Sequence, residues 1–381
     1  MSGRVRPIAL VVFVGMSLAT AQAVTIDTVP VGNLGNVGEL SGEGAGGNGY
    51  DRVCGQVGYH YEIGKYEITA GQYAEFLTAV ASNNWWLDLY TLEMEDNQRG
   101  CKIRRIGSAP DWYYIVDADG DGVEDADWVD RPVNYISWSA AARFANWMHN
   151  GQPTGDPGPT TTEDGSYFLN FATEPEDLQA VMREPDATWV IPSEDEWYKA
   201  AYHLNNGPTG DYYLYPMQSD STPDNQVIDP DAGNSANFWS TCCMANTGTY
   251  FRSEVGEYEN SPSPYGTFDQ GGNVTEWTDT IVPVPADYPD PNQAAWRVKR
   301  GGSFSWTGSF DQVLRADNRN YSTGSGGYEA GFRLAFVGFD PVPAVSEWGM
   351  LVMAIVLLSV GTIAFRRTPR DIAVAGHLTS E

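Results

Sequence analysis

The chain is short of basic residues, of histidine and of cysteine, and each shortage removes a class of function. Lysine and arginine number 22 against 50 aspartates and glutamates, a net charge of −28 over 381 residues. A surface that acidic repels polyanions, so nucleic acid and bare anionic membrane are poor partners, while cations and basic ligands are steered toward it. The four histidines, His60, His149, His203 and His377, stand singly. Scattered imidazoles do not make a transition-metal site, and His149 reads as a helix-terminal group. Cysteine is limited to Cys54, Cys101, Cys242 and Cys243. There is no C-x-x-C pair to suggest zinc, and no G-x-S-x-G elbow to suggest a serine hydrolase. Four cysteines allow three pairings. Adjacent Cys242 and Cys243 are badly placed to bridge each other, so a disulfide between Cys54 and Cys101 is the expectation in an oxidising compartment.

Long apolar runs are confined to the two ends. Residues 1–23 carry Arg4 and Arg6, an apolar stretch from Ile8 to Leu18 and a closing Ala21-Gln22-Ala23, the pattern of a secretory signal peptide cleaved after Ala23. Trp348 to Phe365 is almost uninterrupted apolar sequence closed by Arg366 and Arg367, long enough for one membrane-crossing helix with its positive end inside. The expected division is therefore a leader to 23, a Gly-rich lead-in over 24–56, one large domain over 57–340, an anchor segment over 341–367 and a short tail over 368–381.

Between those ends, 42% hydrophobic and 13% aromatic residues are ample for a folded core, so the acidic excess belongs to the surface. Thr69-x-x-Gln72 and Ser193-x-x-Glu196 are capping boxes that open helices. The first places Tyr73, Phe76, Leu77 and Val80 on one face, and the second turns Trp197, Ala200 and Ala201 inward. Ser137 or Ser139 can cap a helix through His149 with Trp138, Ala142, Ala145 and Met148 at core spacing, while Arg143 and Asn146 face elsewhere. Thr173-x-x-Glu176 suggests a further short helix to about Arg183. Capping explains Glu196 without acid or base chemistry on the Glu194/Glu196 pair. Asp117-x-Asp119-x-Asp121-Gly122 follows the first half of a calcium loop, but its twelfth position is Trp128 in place of a bidentate glutamate, and a solvated acidic turn is the plainer reading. The paired glycines Gly271-Gly272 and Gly301-Gly302, flanked by large rings, call for tight turns at positive φ. Asp269 and Glu276 are spaced so that two carboxylates and intervening carbonyls can face a hard cation.

These stretches carry a family resemblance. Gly272-Asn273-Val274-Thr275-Glu276-Trp277, Arg300-Gly301-Gly302-Ser303 and Gly331-Phe332-Arg333 resemble, in order, signatures of the formylglycine-generating, or sulfatase-modifying-factor, family. Tyr66-Glu67-Ile68-Thr69, the Pro132 to Trp138 stretch and Ile191-Pro192-Ser193-Glu194-Asp195-Glu196-Trp197 are similar to further phrases, so the resemblance spans Val57 to Phe336. It implies an α+β fold related to the C-type lectin fold, with little regular structure and a groove walled by loops that include Thr275, Ser303 and Arg333. It also implies structural calcium at Asp269, Gly272, Val274 and Glu276, and a second calcium position at Asn237 and Phe238 that lacks a recognisable Asp-x-Phe partner. Family members that oxidise a sulfatase cysteine hold copper on two cysteines after the GGS phrase, and those positions here are Trp306 and Asp311. Copper is thus not expected, because Cu(I) wants soft thiolates. Thr275 stands where the family usually has tryptophan. The iron-dependent relatives need an H-x-x-x-H-x-E cluster that is absent. Val342 to Gly349, ahead of the apolar run, resembles an exosortase-type sorting motif. The resulting expectation is an exported, envelope-associated binding module for an exported protein or a carbohydrate, anchored in the membrane by its C-terminal helix. The competing reading is an oxidase acting by a non-standard site.

Overall fold

The computed structural model describes residues 23–81, 87–240, 250–282, 296–305 and 310–338. The expected leader up to residue 22, Cys242, Cys243, Trp306 and the run Trp348 to Phe365 lie outside the described residues, among which no helix is long and apolar enough to cross a membrane. Two four-stranded sheets organise the fold. In the first, Thr28–Val31, Tyr61–Gly64, Ala335–Phe336 and Trp189–Val190 lie side by side and antiparallel, so the beginning and the end of the domain share one sheet. In the second the order is Asn320–Ser322, Trp296–Arg300, Thr275–Val282 and Ala330–Gly331, the last pair parallel. Two hairpins, Glu39–Ser41 with Arg52–Cys54 and Ile103–Ile106 with Tyr113–Val116, stand apart from these sheets. Long irregular stretches connect the elements; the described part of 205–256 holds only isolated bridges.

Both capping boxes form. Thr69 accepts from the Gln72 N–H and Gln72 returns the bond, opening Ala70–Val80, whose Tyr73, Phe76, Leu77 and Val80 are buried. Ser193 and Glu196 do the same for Glu194–Tyr202. Ser137 caps Trp138–His149 through the Ala140 N–H. Two expectations fail there. Arg143 and Asn146 do not face elsewhere: both are fully buried, Arg143 on Glu163 at 2.7 and 3.0 Å and Asn146 on the carbonyls of Thr162 and Tyr167. The helix is covered on all sides because the loop after it folds back, which its own periodicity does not encode. The helix expected from Thr173 is only Pro175–Leu178, with Glu174 at its N-cap and no side-chain cap bond. Pro175, with its fixed φ and no N–H to give, suits the first helical turn and sets the start there.

Aromatic rings fill the main core. Tyr73, Phe76, Phe144, Trp147 and Phe332 pack with centroids 5.2 to 6.4 Å apart, the offset and edge-on range that adds to simple area burial. The expected Cys54–Cys101 disulfide is not present; both are free, buried thiols. Cys101 lies in this main core, while Cys54 sits in a second cluster with Trp197 and Tyr198, its sulfur beside the guanidiniums of Arg300 at 3.4 Å and Arg52 at 3.6 Å. A disulfide needs the two Cα atoms within about 7 Å, and side chains committed to separate clusters do not offer that approach.

Candidate functional site

The two glycine-rich turns stitch to each other. The Gly272 N–H donates to the Gly301 carbonyl at 2.8 Å and the Phe304 N–H to the Asn273 carbonyl at 3.0 Å. Gly272 and Gly301 both have positive φ, at 95° and 93°. A Cβ at Gly272 would lie 2.3 Å from the Asn237 carbonyl, and one at Gly301 would lie 2.6 Å from the Gln270 carbonyl. No other residue fits such an approach.

Beneath the turns lie three carboxylates and one guanidinium. Arg333 grips Glu276 with two bonds of 2.6 and 2.7 Å, and the Trp197 indole N–H adds a third at 2.8 Å. Glu67 accepts from the Val274 N–H and the Asn273 amide. Burial, with the charges of Asp269 and Glu276 nearby, pushes the Glu67 carboxyl well above the usual range. Asp269 has φ of 60° and accepts from the Gly256 N–H at 2.6 Å, and burial lifts its carboxyl to about 6.

A second charged cluster has the opposite balance. Glu194 is fully buried and receives Arg300, Arg319 and Arg52, with closest contacts of 2.6, 2.7 and 3.1 Å; Arg52 also binds Asp195. Burial alone would raise the Glu194 carboxyl, but the three guanidiniums outweigh it and hold it at about 2. Glu196, besides capping, pairs with Arg183 at 3.0 Å.

Ser303 and Thr275 are buried, and the Thr275 hydroxyl has no hydrogen-bond partner among the described residues. Phe304 packs on Phe251 and Tyr328, and the Arg99 guanidinium lies 4.6 Å from the Tyr328 ring centroid and 5.7 Å from that of Phe251. Lys299, nearly buried, sits over the Trp277 ring at 5.1 Å and pairs with Glu329 at 3.6 Å. Two histidine rings are engaged in the fold: the Nδ1 of His149 lies against Thr188 and that of His203 against Tyr265. Arg99, Phe251 and Tyr328 were not legible in the sequence, since each comes from an irregular segment with no motif.

Residues 54–337 match the sulfatase-modifying factor enzyme 1-like domain. The chain belongs to this family. No curated protein matches it. Among solved structures it is similar to CarF (19% identity, 82% of this chain and 98% of that one, TM-score 0.43), to Treponema denticola variable protein 1 (19%, 83% and 98%, 0.47) and to PvdO from Pseudomonas aeruginosa (16%, 83% and 98%, 0.43). The sulfatase-modifying-factor domain here is a single α+β domain with short strands and helices joined by loops. Of the two positions where the oxidases of this family carry cysteine, Trp306 lies outside the described residues, and Asp311 falls in the short helix Phe310–Leu314.

The calcium positions divide. Asp269, Gly272, Val274 and Glu276 come from one turn, yet both oxygens of Glu276 already face Arg333, so this glutamate is satisfied without a metal. Asn237, whose carbonyl accepts from the Asn273 N–H, is buried with its Oδ1 unpartnered among the described residues. An orphaned acceptor of that kind is costly unless something fills it. The Phe238 carbonyl accepts from Asn225. Separately, the oxygens of Asp117, Asp119 and Asp125 converge within 4.8 Å. Asp117 there already receives the Gly120 and Gly122 N–H groups and lies 3.4 Å from Arg104, which suits a self-satisfied turn.

Proposed function

We propose that this sulfatase-modifying-factor domain is an exported, envelope-associated binding module that takes a segment of another exported protein or a carbohydrate in the groove around Thr275, Ser303, Tyr328 and Arg99. The observation that carries the reading is the donor set after the GGS phrase. Trp306 offers no thiolate and Asp311 only a hard oxygen, so neither a copper dithiolate nor a mixed disulfide with a substrate cysteine can form at these positions. What remains is a wall of aromatic rings, one arginine and a Lys299–Glu329 pair, which are recognition groups. The apolar runs at the two ends support export and a C-terminal membrane anchor.

Structural calcium belongs to the same proposal. Asp269, Gly272, Val274 and Glu276 would hold one ion and Asn237 with Phe238 a second, a hard cation relieving the surplus of carboxylates around Arg333 and the unpartnered Asn237 Oδ1. The ion would fix the turns that shape the groove and would take no part in chemistry.

The test is direct. Purified protein supplied with copper and reductant is expected to leave a C-x-P-x-R peptide unchanged by mass spectrometry. Conversion to the aldehyde, lost in a Cys242→Ser/Cys243→Ser variant, would replace the binding-module reading with an oxidase that works through those two cysteines.

A further inference from the structure

A second groove lies outside the glycine-rich site, between the 168–172 loop and the 176–184 segment. It encloses about 600 Å³. Phe168, Phe171 and Met182 line it while 55%, 40% and 64% exposed, a concentration of large apolar side chains that soluble surfaces ordinarily cover. Glu176, Asp177 and Glu184 also line it.

Both walls are held from below. Asn170 and Phe171 have positive φ, 46° and 65°, a conformation that a bulky residue adopts only when its surroundings enforce it. Here the Glu163 carbonyl accepts the Leu169 and Asn170 N–H groups, and its carboxylate accepts the Phe171 N–H at 2.7 Å. Arg143, fully buried, grips that carboxylate and also the Ala172 carbonyl at 2.9 Å. On the other wall the buried Arg297 donates to the carbonyls of Leu178 and Val181 at 2.9 and 2.6 Å. Two buried arginines thus fix the backbone of both walls while three large apolar side chains lie partly in water. A groove built that way loses little freedom when filled.

Charge decides the occupant. From 163 to 188 the chain carries Glu163, Asp164, Glu174, Glu176, Asp177, Glu184 and Asp186 against the single cation Arg183. Glu163 is neutralised by Arg143, and Arg183 is turned inward onto Glu196 and Asp279 at 3.0 and 2.7 Å. The rim is left acidic. We infer that this groove docks a basic segment of a partner protein in which a large apolar side chain is flanked by arginine or lysine: the apolar group enters between Phe168, Phe171 and Met182, and the cations meet Glu176, Asp177 and Glu184. A second copy of this chain fits worse, because it would bring an equally acidic rim against this one. The inference is independent of whether the groove above the GGS turn catalyses.

The test uses full-length protein in zwitterionic-lipid nanodiscs, with empty nanodiscs as the blank. The probe is a blocked pentapeptide, Gly-Arg-Phe-Arg-Gly, titrated beside Gly-Glu-Phe-Glu-Gly and Gly-Arg-Ala-Arg-Gly. The arginine–phenylalanine peptide is expected to bind at least tenfold more tightly than either control. Glu176→Lys/Asp177→Lys and Phe168→Ser/Met182→Ser are each expected to weaken it at least tenfold without moving the melting temperature, since all four side chains are exposed. Equal binding of the glutamate peptide, indifference to both variants, or no binding at millimolar peptide would overturn the inference. Self-association lost in Phe168→Ser/Met182→Ser would overturn it in favour of a second copy.

Discussion

Glu194 and Glu276 are both buried carboxylates gripped by arginine, but their surroundings are unbalanced in opposite senses. Around Glu194, three guanidiniums from Arg52, Arg300 and Arg319 meet two carboxylates, its own and that of Asp195. Around Glu276, the single guanidinium of Arg333 meets Glu276, with Glu67 and Asp269 close enough to act on it electrostatically. The first cluster has no use for another cation, and the second is short of two positive charges. The family phrases resolve accordingly: the arginine of R-G-G-S closes on the first glutamate of P-S-E-D-E-W, and that of G-F-R closes on V-T-E-W. These phrases are clamps that hold the domain together through buried ion pairs. Their presence here therefore says nothing for or against oxidase activity.

The largest expected effect follows from that imbalance. Glu194→Ala strands Arg300 and Arg319 in the interior and should cost about 5 kcal/mol, the upper end for breaking a buried pair. Glu276→Ala leaves Arg333 facing two other carboxylates and should cost about 3 kcal/mol, the lower end. Urea unfolding of both variants measures the difference, with Glu194→Gln in reserve should the alanine variant not fold. An equal or larger loss at Glu276 would erase the distinction between the clusters.

Next in size is an acid limb. The Glu194 carboxyl is held at about 2 in the fold against an ordinary 4.5. A carboxylate with a depressed folded-state pKa contributes stability that is present above 4.5 and is lost as pH falls toward 2. A shift of that size is worth about 3 kcal/mol. Stability measured at pH 6 and at pH 2.5 should fall by about that much more in the parent than in Glu194→Gln, and equal losses in both would show that the arginines do not act through this carboxyl.

What was legible in the sequence was local. The bonds of Thr69 with Gln72 and of Ser193 with Glu196 span three residues, and the positive-φ turns at Gly272 and Gly301 follow from glycine itself, so pattern sufficed. Arg143 and Asn146 were misread because their partners, Glu163, Thr162 and Tyr167, arrive from a loop with no period. Arg300 and Glu194 are 106 residues apart and Arg333 and Glu276 are 57 apart, and nothing in a spacing says which distant arginine will neutralise which carboxylate. The spacing of Asp269 and Glu276 likewise does not show that Arg333 already occupies both oxygens of Glu276. The Cys54–Cys101 expectation failed for the converse reason, since elimination among four cysteines takes no account of which cluster each joins.

The smallest expected effect bears on the cation deficit itself. A metal that binds only the folded state stabilises it by RT ln(1 + [L]/Kd), about 1.4 kcal/mol at tenfold excess over Kd, and the gain stays modest because Arg333 already serves Glu276. Calcium added to chelator-treated protein should therefore raise the melting temperature by a few degrees. Removal of the Asn237 Oδ1 in Asn237→Ala separates the two positions. Loss of the calcium increment there, with its retention in Asp269→Ala, would put the ion on the orphaned amide, whereas the reverse pattern would put it in the carboxylate cluster. No increment in the parent at millimolar calcium would mean that Arg333, with the Glu67 and Asp269 carboxyls both raised by burial, holds the cluster without a metal. The cluster at Glu276 would then differ from that at Glu194 only in how many arginines it needs.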